Sequence, residues 1–197
     1  NGATFASMKF GAFVEELEHF DSNFFGISQS EARSMDPNQR VVLETTTRAL
    51  YDAGESLESL NGKPVGVWVG ISNSDFQDVP GAGFKDSKSV YGATGGALSV
   101  ISGRISYLLG LTGPSMVVDT ACSSSIVAIN QAVKALLHKE CNLAVASAVN
   151  LILTPWISIA YSRAGMLSKD GVCHTFDELA NGYSRGEGCA ARSEEHT

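Results

Sequence analysis

An α/β fold is predicted by three features of the 197-residue chain. Short runs of valine, isoleucine and small residues alternate with stretches of helical periodicity. The segment from Ser115 to the apolar end of "NLAVASAVNLIL" reads strand, helix, strand, a unit that normally makes a right-handed crossover between parallel strands. With 44% hydrophobic and 18% charged residues, the chain can bury a core as one domain or as part of a larger one.

Taken in order, the first clear helix runs from about Pro37 to Ala53. Asp36 suits its cap, Pro37 its first position, Gln39 a capping box and Gly54 its end, with Val42, Thr46, Ala49, Leu50 and Ala53 on one face. "PVGVWVGIS" from Pro64 reads as a buried strand, and the polar stretch from Asn73 to Lys88 as a long loop. A helical pattern from Ala97 to Leu109 is broken by "GLTGP" at Gly110. "SMVVDT" then reads as a short buried strand. Ser123 to Leu137 follows as a helix with Ile126, Ile129, Val133 and Leu136 or Leu137 on one face, and "NLAVASAVNLIL" as another strand. Beyond Pro155 the chain reads as loop-rich, with turns at "SKDG" and "NGYSRGEG". Nothing repeats at a fixed period.

The net charge of −7, with no lysine or arginine run, argues against nucleic acid or an anionic membrane surface as a partner. No apolar run approaches the roughly 18 residues of a membrane span. An intracellular protein is expected, with an organelle left open because the chain begins without methionine. Cys122, Cys141, Cys173 and Cys189 form no CxxC pair, so neither a zinc ribbon nor a thioredoxin-type site is indicated and reduced thiols are expected. The glycines do not form a dinucleotide fingerprint.

Cys122 sits where a strand hands over to the amino end of a helix. Amides there favour a thiolate over a thiol and could receive an oxyanion if the sulfur attacked a carbonyl. Position alone leaves a second reading open, a buried small cysteine beside serines that merely cap a helix. Sequence context separates the two. "VDTACSSS" resembles the active-site motif of β-ketoacyl synthases, the condensing enzymes of fatty acid and polyketide synthesis, and especially the ketosynthase domains of modular polyketide synthases. "FDSNFFGIS", "MDPNQRVVLE", "GVWVGIS", "GRISYLLGLTGPS", "NLILTP", "SRAGMLSKDGVCHTFD" and "NGYSRGEG" are similar to ketosynthase segments, in the same order, from about Phe10 to Ala190.

The resemblance implies a thiolase-like fold of two similar halves with helices sandwiched between sheets, of which this chain holds mainly the N-terminal half. It implies a homodimer when complete, and Cys122 as the nucleophile that takes an acyl group from a carrier-protein thioester. Malonyl carrier protein would then be decarboxylated and its carbanion would attack that acyl group, a decarboxylative Claisen condensation. No metal or redox cofactor is implied; acyl and malonyl thioesters ride on the phosphopantetheine of an acyl carrier protein.

The pattern also departs from the family. Two histidines that the family uses lie in its second half, and His19, His138, His174 and His196 match neither context, so each is expected in a surface or structural role. The family begins with a buried strand upstream of Phe10. After "GEGCA", residues 191–197 run "ARSEEHT", with charged residues where a core strand is expected. The expectation is a fragment truncated at both ends, with apolar faces exposed and a tendency to aggregate alone. Asp119 and Thr120 are expected to hold the corner by hydrogen bonds, Arg185 and Glu187 to act structurally, and Met166 and Phe176 to lie in the core. A non-catalytic half-fold acting as an interaction or scaffold protein remains the alternative to the enzyme. A cysteine hydrolase would need a histidine base near Cys122 that no local context suggests.

Overall fold

The computed structural model describes residues 10–82 and 89–195. Its elements in chain order are β1 (Gly11–Ala12), α1 (Gln29–Ser34), α2 (Pro37–Asp52), α3 (Leu57–Leu60), β2 (Val65–Gly70), α4 (Gly92–Gly96), α5 (Val100–Leu109), β3 (Ser115–Val118), α6 (Ser124–Leu137), β4 (Leu143–Asn150), α7 (Trp156–Arg163), β5 (Arg185–Gly186) and β6 (Gly188–Glu195). The predicted loop from Asn73 to Lys88 contains one 3-10 turn at Phe76–Asp78, and its last six residues lie outside the described set.

β2, β3 and β4 are parallel and β6 is antiparallel, in the order β3-β2-β4-β6. β2 therefore lies between the two strands of the predicted crossover, and pairs with β3 from Val67↔Ser115 to Gly70↔Val118 and with β4 from Val65↔Leu143 to Gly70↔Ala148. β1 and β5 form a separate two-stranded pair.

The two faces of this sheet differ because strand side chains alternate. Val65, Val67 and Val69 of β2 and Val145 and Val149 of β4 meet Val42, Leu43 and Leu50 of α2 and Ile101, Ile105 and Leu109 of α5 in one core. On the other face Trp68, Ala144 and Ala146 meet Ala128, Ala132, Ala135 and Leu136 of α6. Small residues let α6 approach closely: a Cβ added at Gly70 would stand 2.8 Å from the backbone carbon of Ser124.

That close approach turns α6 from the predicted orientation in part: Leu136 is buried on the sheet side and Ile129 packs against the same cluster. Ile126, Val133 and Leu137 are exposed and alanines take the sheet contact. The large apolar stripe dominates the helical pattern, yet the small stripe fits against a sheet face where Trp68 stands among Gly66, Gly70, Ala144 and Ala146.

α2 forms as its signals require: Pro37 is at the first position and the Asp36 carboxylate accepts from the Asn38 amide at 2.8 Å. Its buried side chains include Leu43 and Thr47 beside Val42, Thr46 and Leu50, whereas Ala53 is exposed. Gln39 does not complete a capping box. It is buried, its Nε2 donates to the Thr94 and Gly95 carbonyls, and its Oε1 accepts from Arg104 Nε. Pinning α4 and α5 to α2 outweighs a local cap that water can replace.

Three further expectations are corrected. β3 is not buried: it is the edge strand, and Ser115 and Met116 are exposed. The region beyond Pro155 carries α7 and the eight-residue β6, so Arg192, Ser193, Glu194 and Glu195 continue the sheet rather than replace a strand. Met166 and Phe176 are exposed, not core, because they lie in the irregular segment between α7 and β5. Among the described residues no helix is long and apolar enough to cross a membrane.

Candidate active site

Parallel strands all end on the same side of a sheet, and that is where the site forms. β2 ends at Gly70, β3 at Val118 and β4 at Asn150, while antiparallel β6 begins there at Gly188. A cavity of about 870 Å³ opens across these ends. Its walls come from Gly70 to Asn73 at the end of β2, Asp119, Ala121, Cys122, Ser124 and Ser125 after β3, Ala148 to Asn150 of β4, Tyr161 of α7, and Tyr183 with Arg185 to Ala190.

Cys122 is exposed and lines this cavity. It stands in the 3-10 turn Ala121–Ser123, between β3 and α6. The chain turns sharply because Ala121 adopts φ +54, a left-handed conformation that an alanine rarely accepts. Side chains around the corner hold it there. Asp119 Oδ1 accepts from the Ala121 amide at 3.0 Å. The buried Ser124 hydroxyl accepts from the Thr120 amide at 2.9 Å and donates to the Ala121 carbonyl at 2.7 Å. Ser123 donates to the Thr120 carbonyl at 2.8 Å.

Asp119 and Thr120 thus hold the corner as expected. The serines work differently from helix caps: Ser123 is the cap residue by position but its side chain makes no cap bond. Their hydroxyls tie the turn's own backbone, which keeps Cys122 at the cavity surface rather than folding it under α6.

The other cysteines differ. Cys141 is buried beneath the sheet, where burial pushes its thiol up, and Cys189 on β6 is partly buried and likewise raised by burial, partly offset by Thr45. Cys173 is exposed, and its sulfur accepts from the Ser184 amide at 3.4 Å.

No described histidine lines the cavity. His19 is exposed near Glu16 at 3.8 Å, His138 is the exposed cap at the end of α6, and His174 Nε2 is 3.0 Å from Asp170 Oδ2. Ser168 first, and then His174, hold the Asp170 carboxyl far below the usual carboxylate range. His196 lies outside the described residues.

Arg185 and Glu187 do not pair with each other. Glu187 accepts from the Ile152 amide at 2.7 Å and the Val14 amide at 2.9 Å, joining the segments after β4 and β1. The Arg185 guanidinium stands 5.2 Å from the centre of the Tyr161 ring. A loop anchor that sequence reasoning missed is Asp75. Buried after β2, it accepts from the Leu153 amide and from the Thr154 amide and hydroxyl, at 2.7 to 3.2 Å. Only its polar loop context was visible, and no pattern marks which carboxylate in a loop will be buried.

Comparison with known proteins shows the family and the fold. The family described as β-ketoacyl synthase, N-terminal domain, matches residues 3–192. The chain is 46% identical over 182 residues to the orsellinic acid synthase ArmB of Armillaria ostoyae, covering 91% of this chain and 8% of that protein. It is 48% identical over 179 residues to the highly reducing polyketide synthase verA of Penicillium polonicum, covering 90% of this chain and 7% of that protein. A solved ketosynthase from module 6 of the bacillaene synthase of Bacillus subtilis 168 superposes with a TM-score of 0.90 at 36% identity, covering all of this chain and 32% of that one. The chain therefore spans about a third of a solved ketosynthase and a small part of the synthases it matches. Its α/β architecture is the thiolase-like fold of those ketosynthases, and the chain belongs to the β-ketoacyl synthase family, within its N-terminal domain.

Proposed function

We propose that this chain supplies the acyl-accepting part of a ketosynthase in polyketide synthesis, with Cys122 as the nucleophile. The supporting observation is its placement: an exposed thiol on a sharp, left-handed corner, at the carboxyl edge of a parallel sheet and in the wall of a ligand-sized cavity. The Cys122 sulfur attacks the carbonyl carbon of an acyl thioester. A carbon–sulfur bond forms to Cys122, the bond to the carrier's sulfur breaks, and the carrier thiol leaves with the proton the cysteine gave up. The Cys122 amide at the turn is the donor proposed for the oxyanion of the tetrahedral centre.

The acyl group then awaits a malonyl thioester. Loss of its carboxylate as carbon dioxide leaves a carbanion that attacks the acyl carbonyl, forming a carbon–carbon bond and releasing Cys122. No described histidine reaches the cavity wall, and proton handling for that half-reaction is proposed to lie in the part of a complete ketosynthase that this chain does not span. The thioesters are proposed to ride on the phosphopantetheine of an acyl carrier protein, in keeping with relatives that include hybrid PKS-NRPS synthetases such as apdA of Emericella nidulans. A homodimer is proposed for the complete domain, and the outer edge of β3, unpaired among the described residues, offers a place for strand pairing.

Incubating the full-length protein with an acyl thioester and mapping the adduct by peptide mass spectrometry tests the reading. The acyl mass is expected on Cys122 and is expected to vanish in Cys122→Ala. An adduct on another cysteine, or none on any, would refute it.

A further inference from the structure

The cavity beside Cys122 holds a cation with no anionic partner among the described residues. Arg185 lines it, its Nε is sealed from solvent with no hydrogen-bond acceptor, and no described carboxylate is within ion-pair distance. The neighbouring acid, Glu187, is committed to two backbone amides. Tyr161 holds the guanidinium from one face, which fixes its position without neutralising it. Ser72, Asn73 and Tyr183 share the same walls, so the space is rich in polar groups. A pocket built for a saturated chain would leave such a cation unsatisfied on binding, at a real cost.

We infer that Arg185 is a specificity-determining residue which selects acyl groups carrying oxygen on the chain, keto or hydroxyl, over fully saturated ones of equal length. The inference rests on Cys122 being the acyl acceptor. The guanidinium donates to the chain oxygen and supplies the hydrogen bond that a methylene cannot accept, which is the asymmetry that lets a polar site reject an analogue lacking the group.

The test uses two four-carbon thioesters of N-acetylcysteamine, acetoacetyl and butyryl, with the full-length protein. The rate of Cys122 acylation is followed by peptide mass spectrometry over a range of thioester concentrations. In Arg185→Met the preference for acetoacetyl over butyryl falls by about tenfold, as expected for loss of a charged hydrogen bond. The ratio falls through a slower acetoacetyl reaction, a faster butyryl reaction now free of the unsatisfied cation, or both, and Arg185→Lys retains part of the preference. Thermal unfolding midpoints matching wild type in both variants serve as the check on folding. An unchanged ratio, including an equal fall for both thioesters as a purely structural cation would give, overturns the role of Arg185 and leaves Cys122 as the acceptor. No adduct at Cys122 in the wild-type protein with either thioester overturns both.

Discussion

At the scale of single residues, the corner is a contest between strain and hydrogen bonding. An alanine at φ +54 costs on the order of 1 kcal/mol relative to an ordinary backbone. The bonds from Asp119, Ser123 and Ser124 offset that cost. Ala121→Gly is therefore expected to leave stability within about 1 kcal/mol of wild type, while Ala121→Val, β-branched in a left-handed position, lowers it by about 2 kcal/mol. Denaturant unfolding of the two variants measures the difference. Ser124→Ala removes a buried hydroxyl that serves both the Thr120 amide and the Ala121 carbonyl, and should cost about 1–3 kcal/mol and slow acylation of Cys122.

A second residue-scale prediction concerns pH. Burial pushes the Asp36 carboxyl above its ordinary value of 3.8, and nearby Asp75 adds to the rise, against bonds from Ser74 and Asn38. A raised folded-state value means the folded protein holds that proton more tightly than the unfolded chain. The contribution is thus full below pH 3.8 and is lost as pH rises through the folded value. Asp36→Asn keeps an acceptor for Asn38 and removes the buried charge. Unfolding midpoints at pH 3.5 and pH 7 should show the variant gaining on wild type as pH rises, and equal differences at both would contradict this. The roles of Asp119 and Thr120 were legible because each sits two or four residues from its partner in the turn. Gln39 was not, because its partners lie more than fifty residues away and a capping box satisfies the same spacing.

At the scale of elements, the strand ends and the helix behind them decide where Cys122 stands. Gly70 is required by close approach: any side chain there meets the backbone of Ser124 and Ser125 within 3 Å. Gly70→Ala should push α6 from the sheet, lower stability by about 1–3 kcal/mol and slow Cys122 acylation together, since the corner moves with the helix. Thermal unfolding and adduct formation read the two effects. β2, α2 and β4 were readable because their patterns are local. The orientation of α6 was legible only in part, for Ile129 and Leu136, because two stripes compete and the choice depends on the residues of the facing sheet. β6 carried a visible signal that charge obscured: Cys189, Ala191 and Ser193 alternate with the exposed Ala190 and Arg192, the period of a strand with one side toward α2. The chain beyond Pro155 was read as loop-rich although a proline also marks a helix start, and α7 begins on the next residue.

At the scale of the molecule, the fold has one finished side and one open side. α2 and α5 cover the valine face of the sheet, and α6 covers the other but turns Ile126, Val133 and Leu137 outward. The chain spans about a third of a solved ketosynthase, and we propose that the remainder of that fold covers this stripe. Replacing both Ile126 and Leu137 by aspartate in the full-length protein should then lower stability by several kcal/mol, at roughly 1.5–3 kcal/mol for each apolar side chain kept from burial. A loss below about 1 kcal/mol, the scale of ordinary surface changes, would place that face in water.

The claim on which the rest depends is that Cys122 is the reactive thiol of the cavity. Limited alkylation of the folded full-length protein with iodoacetamide, resolved by peptide mass spectrometry, tests it against a built-in comparison, since Cys122 and Cys173 are both exposed while Cys141 is buried. Cys122 is expected to be alkylated first, and prior acylation by a thioester is expected to protect it alone. Faster labelling of Cys173, or labelling of Cys122 that a thioester does not block, would contradict the account.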